Sequence, residues 1–184
     1  MGKSLSVSAK IMEPQIENYG NIIFTRIDGI NNPDSRLIMT KELLKDYNWY
    51  MSFGTCLGFH RDKDFIPEDT DIDISVFADS IDVESIIRKF KEHFFYLRSV
   101  KHNGKQHQSA FIDEDGFIID LQFYYKDGEK YVSYCEGGKW EDNVSIEIRG
   151  TKYGLFPFPK ETEEYLERRY GNWKVKSTDK SIKQ

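Results

Sequence analysis

The spacing of hydrophobic and polar positions predicts helices that alternate with strands early in the chain and strands that cluster later. Apolar residues recur at helical intervals across 36–47 and 81–94. A last helix is predicted from Glu161 to about Tyr170, where Gly171 can end it. Shorter apolar or alternating runs predict strands at 21–25, 49–53, 71–76, 95–100, 109–112, 117–125, 130–134 and 144–149. This order favours an α+β fold with helices packed on one mixed sheet.

One domain accounts for most of the chain. Its 184 residues are enough for one hydrophobic core and short for two. The segment 1–35 begins with mixed polar sequence and is predicted to be a partly ordered extension. Residues 36–176 carry the periodic pattern and are predicted to form the domain. The polar segment 177–184 is predicted to be a flexible tail.

Composition narrows the classes of function. The net charge of −5 disfavours tight binding to duplex nucleic acid, because such binding relies on a basic surface. No run approaches the roughly 18 apolar residues of a membrane span, and the first residues lack the apolar core of a secretory signal. Cys56 and Cys135 are too few for a disulfide framework and are expected to be reduced thiols. We therefore expect a cytoplasmic protein.

The strand predicted from Asp71 to Val76 carries the clearest chemistry. Side chains alternate between the faces of a strand, so Asp71, Asp73 and Ser75 share one face while the isoleucines and Val76 share the other. Two neighbouring aspartates repel each other, and aspartate is a poor strand former. A bound Mg²⁺ or Mn²⁺ would offset that repulsion, since Mg²⁺ favours one or two carboxylates together with substrate phosphates.

Asp120 is a second acidic signal. It lies in the otherwise apolar run 117–123, where an unpartnered carboxylate is costly to bury. If this strand lies beside the Asp71–Asp73 strand, three carboxylates converge, hold one or two metal ions and activate an attacking hydroxyl. The alternative interpretation is a solvated acidic face of a sheet.

A glycine-containing loop precedes the acidic strand. Gly54 and Gly58 permit close approach of the backbone to a ligand, and Thr55 is predicted to cap a short helix whose N–H groups point at phosphate. Arg61 is able to contact a phosphate with two hydrogen bonds, although a surface arginine is an equally good interpretation. We predict that these four residues bind the phosphates of a donor.

At these residues the sequence resembles the LicD/fukutin family of phosphotransferases, which belongs to the nucleotidyltransferase-fold superfamily. The family has a strand, then Gly-Thr-Leu-Leu-Gly with an Arg shortly after, then Phe-Ile-Pro-Trp-Asp-Asp-Asp-Ile-Asp-Ile, a later single Asp and a closing Tyr-Leu…Tyr-Gly-x-Trp. The matching residues here are Gly54, Thr55, Leu57, Gly58, Arg61, Phe65, Ile66, Pro67, Asp69, Asp71, Ile72, Asp73, Ile74, Asp120, Tyr165, Leu166, Tyr170, Gly171 and Trp173. Glu68 and Thr70 depart from the family pattern, which usually has Trp and Asp there.

The resemblance implies a nucleotidyltransferase-like fold and a metal-dependent enzyme. Such an enzyme transfers a phosphate-linked group from a CDP-activated donor, such as CDP-choline or CDP-ribitol, to a glycan hydroxyl. Asp71, Asp73 and Asp120 would be its catalytic and metal-binding residues. Tyr170 and Trp173 are able to stack on a base or sugar, or to anchor the last helix.

Two other functions stay open at the level of sequence. In the first, a nucleotidyltransferase moves a nucleoside monophosphate from a nucleoside triphosphate to the hydroxyl of a small molecule or a protein. In the second, the chain is a non-catalytic nucleotide-binding module. The released product separates the first from the phosphotransferase, because CMP is released in one case and pyrophosphate in the other.

Overall fold

The computed structural model describes residues 15–18, 33–67, 69–135 and 137–176. These residues form four helices, α1 (Pro33–Leu43), α2 (Phe53–Arg61), α3 (Val83–Lys91) and α4 (Thr162–Tyr170). Ten strands accompany them: β1 (Gln15–Asn18), β2 (Trp49–Met51), β3 (Asp71–Phe77), β4 (Phe95–His102), β5 (Lys105–Ile112), β6 (Ile118–Asp127), β7 (Lys130–Cys135), β8 (Gly138–Asp142), β9 (Ile146–Thr151) and β10 (Gly154–Pro159). The predicted strand at 21–25, the first 14 residues and the tail 177–184 lie outside the described residues.

The main sheet is mixed, as predicted. Its strands run in the order β1-β4-β5-β6-β3-β2, and β7 pairs with both β6 and β8. Strands β3 and β6 are parallel and the other neighbouring pairs are antiparallel. Strands β9 and β10 form a separate antiparallel hairpin. The sheet and its helices therefore confirm the α+β prediction.

Helices pack on the apolar side of this sheet because their own apolar residues lie on one face. In α3 the buried residues are Val83, Ile86, Ile87 and Phe90, and the Asp82 carboxylate accepts a hydrogen bond from the Ser85 N–H at 3.1 Å to cap the helix. They join one core that contains the buried members of β3 and β6. Ile72 and Ile74 on β3 point into this core, as the alternation predicts.

Three local features differ from the sequence prediction. Helix α2 begins at Phe53, so Thr55 lies inside its first turn and does not cap it; Ser52 holds the cap position without a side-chain hydrogen bond. Strands β8 and β10 were not predicted, since β8 begins with a glycine and has three charged residues among its five, and β10 contains two prolines. Prolines fit β10 because it pairs on one edge only.

Two further observations concern the expected environment of the chain. Cys56 and Cys135 are free thiols. Within the described ranges, none of the helices has the length and hydropathy needed to cross a membrane.

Candidate active site

The acidic residues of β3 and β6 meet at the centre of the sheet. Parallel pairing sets Asp73 directly opposite Asp120, while Asp71 lies two residues earlier, opposite Ile118. The charges on Asp71, Asp120 and Asp69 all act on Asp73. The structure therefore brings together the three carboxylates predicted from the sequence and adds Asp69 to their neighbourhood.

The first turn of α2 holds Asp73 in place. The Gly54 N–H donates to Asp73 Oδ2 at 2.9 Å, and the Asp73 N–H donates to Thr55 Oγ1 at 2.8 Å. A Cβ atom on residue 54 would lie 3.1 Å from both Asp73 Oδ2 and Asp69 Oδ2. Glycine at this position thus lets two carboxylates approach the positive end of a helix dipole.

Asp120 is held from the opposite side by β4 and β5. Gln108 Nε2 donates to both carboxylate oxygens, at 2.9 and 2.7 Å, and Arg98 Nη2 lies 3.3 Å from Oδ2. Ala110 lies between Arg98 and Asp120 in the strand register. Its short side chain leaves room for the arginine to reach across β5 to the acid.

Negative charge exceeds positive charge at this point of the sheet. Burial, followed by the charges on Asp71, Asp120 and Asp69, raises the pKa of Asp73 well above its usual range, against a smaller opposing effect of the Gly54 N–H. Burial also raises the pKa of Asp120 to about 6, although Arg98 and Gln108 lower it. Such a cluster binds either protons or an added cation more strongly than isolated aspartates do.

A cavity of about 580 Å³ opens beside the carboxylates. One wall is polar, with Asp73, Arg98, Gln108, Asp120 and Gln122. The rest of the lining consists of the aromatic rings of Phe53 and Trp140 together with Ile74, Cys135 and Gly137. This volume lies in the range of small-molecule sites.

The carboxylate set fits a hard divalent cation by its chemistry, because all its donors are oxygens. Among the described residues, the Asp73 carboxylate accepts a hydrogen bond only from the Gly54 N–H. In the part of the chain that the structure describes, however, no three His, Cys, Asp or Glu side chains are already arranged around one metal position. Two protein carboxylates completed by donor phosphates match that arrangement better than a cage made by the protein alone.

The four predicted phosphate-binding residues lie at the two ends of α2. Gly54 and Thr55 lie beside the carboxylates. Gly58 allows the backbone at Asp64 and Ile66 to pack closely against α2. A Cβ atom on residue 58 would lie 2.7 Å from Asp64 O and 2.9 Å from Ile66 N.

Arg61 lies at the C-terminal end of the helix. Its guanidinium pairs with Asp62 at 2.8 Å and donates to the Trp173 carbonyl at 3.3 Å. Phosphate binding by any of the four residues stays a prediction, and only Gly54 and Thr55 have the position that it requires.

The two residues predicted to stack on a ligand, Tyr170 and Trp173, lie in different environments. Trp173 is buried against the His60 ring, with 5.1 Å between ring centroids, so it anchors the end of the chain to α2. Tyr170 is partly buried close to the acids; burial and then the charge on Asp73 raise its pKa. Stacking by Tyr170 or Trp173 stays a prediction.

The cavity residues that were not singled out from the sequence include Phe53, Arg98, Gln108 and Trp140. Arg98 interrupts a predicted strand, which is the same kind of signal that identified Asp120. Gln108 lies one position before another predicted strand and gave no such signal. Trp140 lies in a segment for which the sequence predicted no element.

Comparison with known proteins adds to this geometry. The family model for the LicD/FKTN/FKRP nucleotidyltransferase domain matches residues 46–162, which include β2, α2, the acidic strands and the aromatic wall of the cavity. The chain belongs to this family. Membership confirms the resemblance predicted from the sequence.

Curated relatives share about a quarter of their residues with this LicD-family chain. Ribitol-5-phosphate transferase FKTN of Mus musculus is 27% identical over 161 residues, which cover 76% of this chain and 32% of that protein. FKTN of Homo sapiens is 28% identical over 151 residues, which cover 69% of this chain and 29% of that protein. The chain thus spans about a third of the length of these relatives.

A solved structure supports the fold of this LicD-family domain. The lincosamide antibiotic adenylyltransferase LnuA, bound to lincomycin, superposes with a TM-score of 0.55 at 14% sequence identity. The match covers 83% of this chain and 93% of that one. At this identity the likeness establishes the nucleotidyltransferase-like fold and no more.

Proposed function

We propose that this LicD-family domain transfers a phosphate-linked group from a CDP-activated donor to a hydroxyl of a glycan, with Mg²⁺ or Mn²⁺ as the cofactor. The observation that carries the proposal is the pairing of Asp73 with Asp120 across two parallel strands, at the wall of a cavity large enough for a nucleotide. Family membership and the relatives named as ribitol-5-phosphate transferases support an alditol phosphate over phosphocholine as the transferred group.

The metal would be held by Asp71 and Asp73, with Asp120 as a third ligand or as the catalytic base. When bound, it would neutralise charge on the donor phosphates. Asp73 is already fixed for this role by Gly54 and Thr55, which leave its second carboxylate oxygen for another partner.

In the proposed reaction the acceptor hydroxyl oxygen attacks the phosphorus of the transferred group. A new phosphorus–oxygen bond forms, the bond from that phosphorus to the bridging oxygen of the diphosphate breaks, and CMP leaves. The hydroxyl proton passes to Asp120, which Gln108 and Arg98 orient. Arg98 also lines the cavity and supplies positive charge beside the phosphates.

Product analysis tests this proposal. The protein is incubated with CDP-ribitol or CDP-choline and a glycan acceptor, with Mg²⁺, Mn²⁺ or EDTA, and the release of CMP is measured. We expect CMP release that requires a metal and that the Asp73→Asn variant loses. Absence of CMP release from the wild-type protein with both donors would contradict the proposed function.

A second candidate is transfer of a nucleoside monophosphate to a hydroxyl. It is favoured by the likeness to an adenylyltransferase across nearly the whole of that protein. The same carboxylates serve this reaction, but the donor is a nucleoside triphosphate and pyrophosphate is released. Pyrophosphate release from CTP or ATP, without CMP release from a CDP donor, would favour this candidate. Nucleotide binding without either product would favour a binding module.

A further inference from the structure

We propose that Phe53 and Trp140, which we call the aromatic wall, bind the nucleobase of the donor by stacking. This inference rests on the function proposed above. It assigns the base to the aromatic part of the cavity lining, and not to Tyr170 and Trp173, which the sequence suggested for stacking.

The two rings of the aromatic wall are fixed relative to each other. Their centroids are 5.6 Å apart and their planes meet at 72°. The indole N–H of Trp140 donates to Cys135 Sγ at 2.7 Å, so the polar edge of the indole is already paired within the protein. A ligand in the cavity therefore meets ring surface, and needs no acceptor for this N–H.

Arg169 on α4 supports the aromatic wall from behind. Its guanidinium carbon lies 4.4 Å from the centroid of the Trp140 ring and 4.8 Å from that of Phe53. Arg169 pairs with Asp142, and the two side chains are only 5% and 1% exposed. Because this buried pair cannot move without loss of its partners, both rings are held in place before a ligand arrives.

Phe53 itself has an unusual backbone. Its φ is +41°, in the left-handed region that residues with a side chain rarely adopt. The Phe53 N–H donates to the Tyr165 hydroxyl at 3.1 Å, which helps to hold this conformation. Strain of this kind is typical of residues that a binding site holds in a required orientation.

The polar part of the lining completes the match to a nucleotide. The cavity that contains the aromatic wall is also lined by the charged residues Asp73, Asp120 and Arg98. Gln108 Oε1 is buried and has no hydrogen-bond partner among the described residues, so it is free to accept from an N–H or O–H group of a ligand. A nucleobase offers a flat π-face to the rings, whereas the hydroxyls of an alditol find no partner there.

Calorimetric titration of the full chain with CMP tests the proposal. Trp140→Leu removes the flat surface and should weaken CMP binding about ten- to a hundredfold, the range for loss of one base–aromatic stack. Trp140→Phe keeps a flat ring and should retain most of the affinity. Trp49→Leu is the matched control, because it makes the same change at a buried tryptophan that packs against Phe156 and does not line the cavity; CMP binding should be unchanged.

The same titrations with ribitol 5-phosphate identify which part of the donor occupies the aromatic wall. Loss of CMP affinity with unchanged ribitol 5-phosphate affinity in Trp140→Leu supports the proposal. Loss of affinity for ribitol 5-phosphate alone, or equal losses of CMP affinity in Trp140→Leu and Trp49→Leu, overturns it. If the wild-type protein and Trp140→Leu bind CMP equally, the aromatic wall proposal fails while the proposed function stands. If the wild-type protein binds neither CMP nor CDP, both fail.

Discussion

The two ends of helix α2 differ in the charge of the side chains around them. At the N-terminal end, Gly54 lies against carboxylates that repel one another and whose pKa values are raised. At the C-terminal end, a cleft of about 430 Å³ is lined by Phe59, His60, Lys63, Arg149, Gly150, Thr151, Lys152 and Phe158. The nine residues of the helix separate these ends by about 13 Å, at 1.5 Å per residue.

The cations at the C-terminal end already have partners. Lys152 pairs with Asp64, Arg149 pairs with Glu147, and Lys63 donates to the His60 carbonyl at 2.8 Å. The contrast teaches that charge balance separates a candidate active site from supporting structure better than charge itself does. At the N-terminal end negative charge is in excess, and at the C-terminal end each of these cations has a partner within the protein.

The largest expected effect comes from removing negative charge at the N-terminal end. Asp73→Asn keeps the shape of the side chain and its hydrogen bond from Gly54 but removes a proposed metal ligand. We expect the rate of CMP release to fall about a thousandfold. Urea denaturation should show an unfolding free energy higher by about 1 kcal/mol, because repulsion among buried carboxylates is relieved.

Asp127→Asn is the control for this prediction, because it makes the same change at an exposed position of β6. Neither its rate nor its stability should change appreciably. A turnover of Asp73→Asn close to that of the wild-type protein would break the assignment of function to this end of the helix.

A comparison of two arginines tests which cation serves the donor. Arg98→Met removes the positive charge beside Asp120 and should lower kcat/KM about ten- to a hundredfold, because a charge-stabilising group is lost. The pH at which activity reaches half its maximum should also rise, since Arg98 lowers the pKa of Asp120, which is about 6. Arg61→Met should destabilise the fold through loss of its contacts with Asp62 and Trp173, with donor affinity unchanged. The reverse pattern would restore Arg61 as the phosphate ligand.

The sequence predicted the acids well because their signal is local. Asp71 and Asp73 alternate with core isoleucines, and Asp120 interrupts an apolar run, so each departs visibly from its surroundings. The choice between Arg61 and Arg98 depends on strand order, which places β4 two strands from β6 and leaves only Ala110 between Arg98 and Asp120. Local periodicity contains no information about that order.

The lack of information about strand order also explains why Phe53 and Trp140 were not predicted as cavity residues. Tyr170 and Trp173 were singled out because they match the closing aromatic residues of the family pattern, and Phe53 was assigned to the end of a strand. Trp140 reaches the cavity only because β8 pairs with β7, which extends from β6. A contact made through two successive strand pairings cannot be predicted from neighbouring residues.

Two glycines in α2 give the next smaller effect. Gly54→Ala places a methyl group 3.1 Å from the carboxylate oxygens of Asp69 and Asp73, which must shift by a few tenths of an ångström. We expect turnover to fall about tenfold, because reacting groups are misplaced, with little change in stability. Gly58→Ala instead meets the backbone at Asp64 and Ile66 and should lower the unfolding free energy by about 1–3 kcal/mol.

Steady-state rates measured at a temperature where both glycine variants are folded distinguish these effects. The comparison between the two ends fails if Gly58→Ala, once folded, has the lower turnover. The comparison between the two ends gains support if the metal affinity of Gly54→Ala, measured by titration with Mn²⁺, falls in the same proportion as its turnover.

The smallest effect is expected from the titration of His60 at the C-terminal end. Burial, followed by the charges on Lys63 and Arg149, lowers the pKa of His60 below its usual value. Arg149 Nη1 lies 3.4 Å from His60 Nδ1, so a proton on that nitrogen would face the guanidinium directly. The folded protein therefore prefers neutral His60 more strongly than the unfolded chain does.

The sign of the pH dependence follows from this preference. The stabilisation from His60 is fully present above its unfolded pKa of about 6.5 and is lost as the pH falls through the lower pKa of the folded state. Urea denaturation at pH values on either side of that window should show a small fall in stability on acidification, and His60→Gln should reduce it. His93→Gln, at an exposed histidine, should leave it unchanged. Because this effect belongs to the structural end of α2, CMP affinity in His60→Gln should match the wild-type protein; a loss of CMP affinity there would extend the active site to the whole helix.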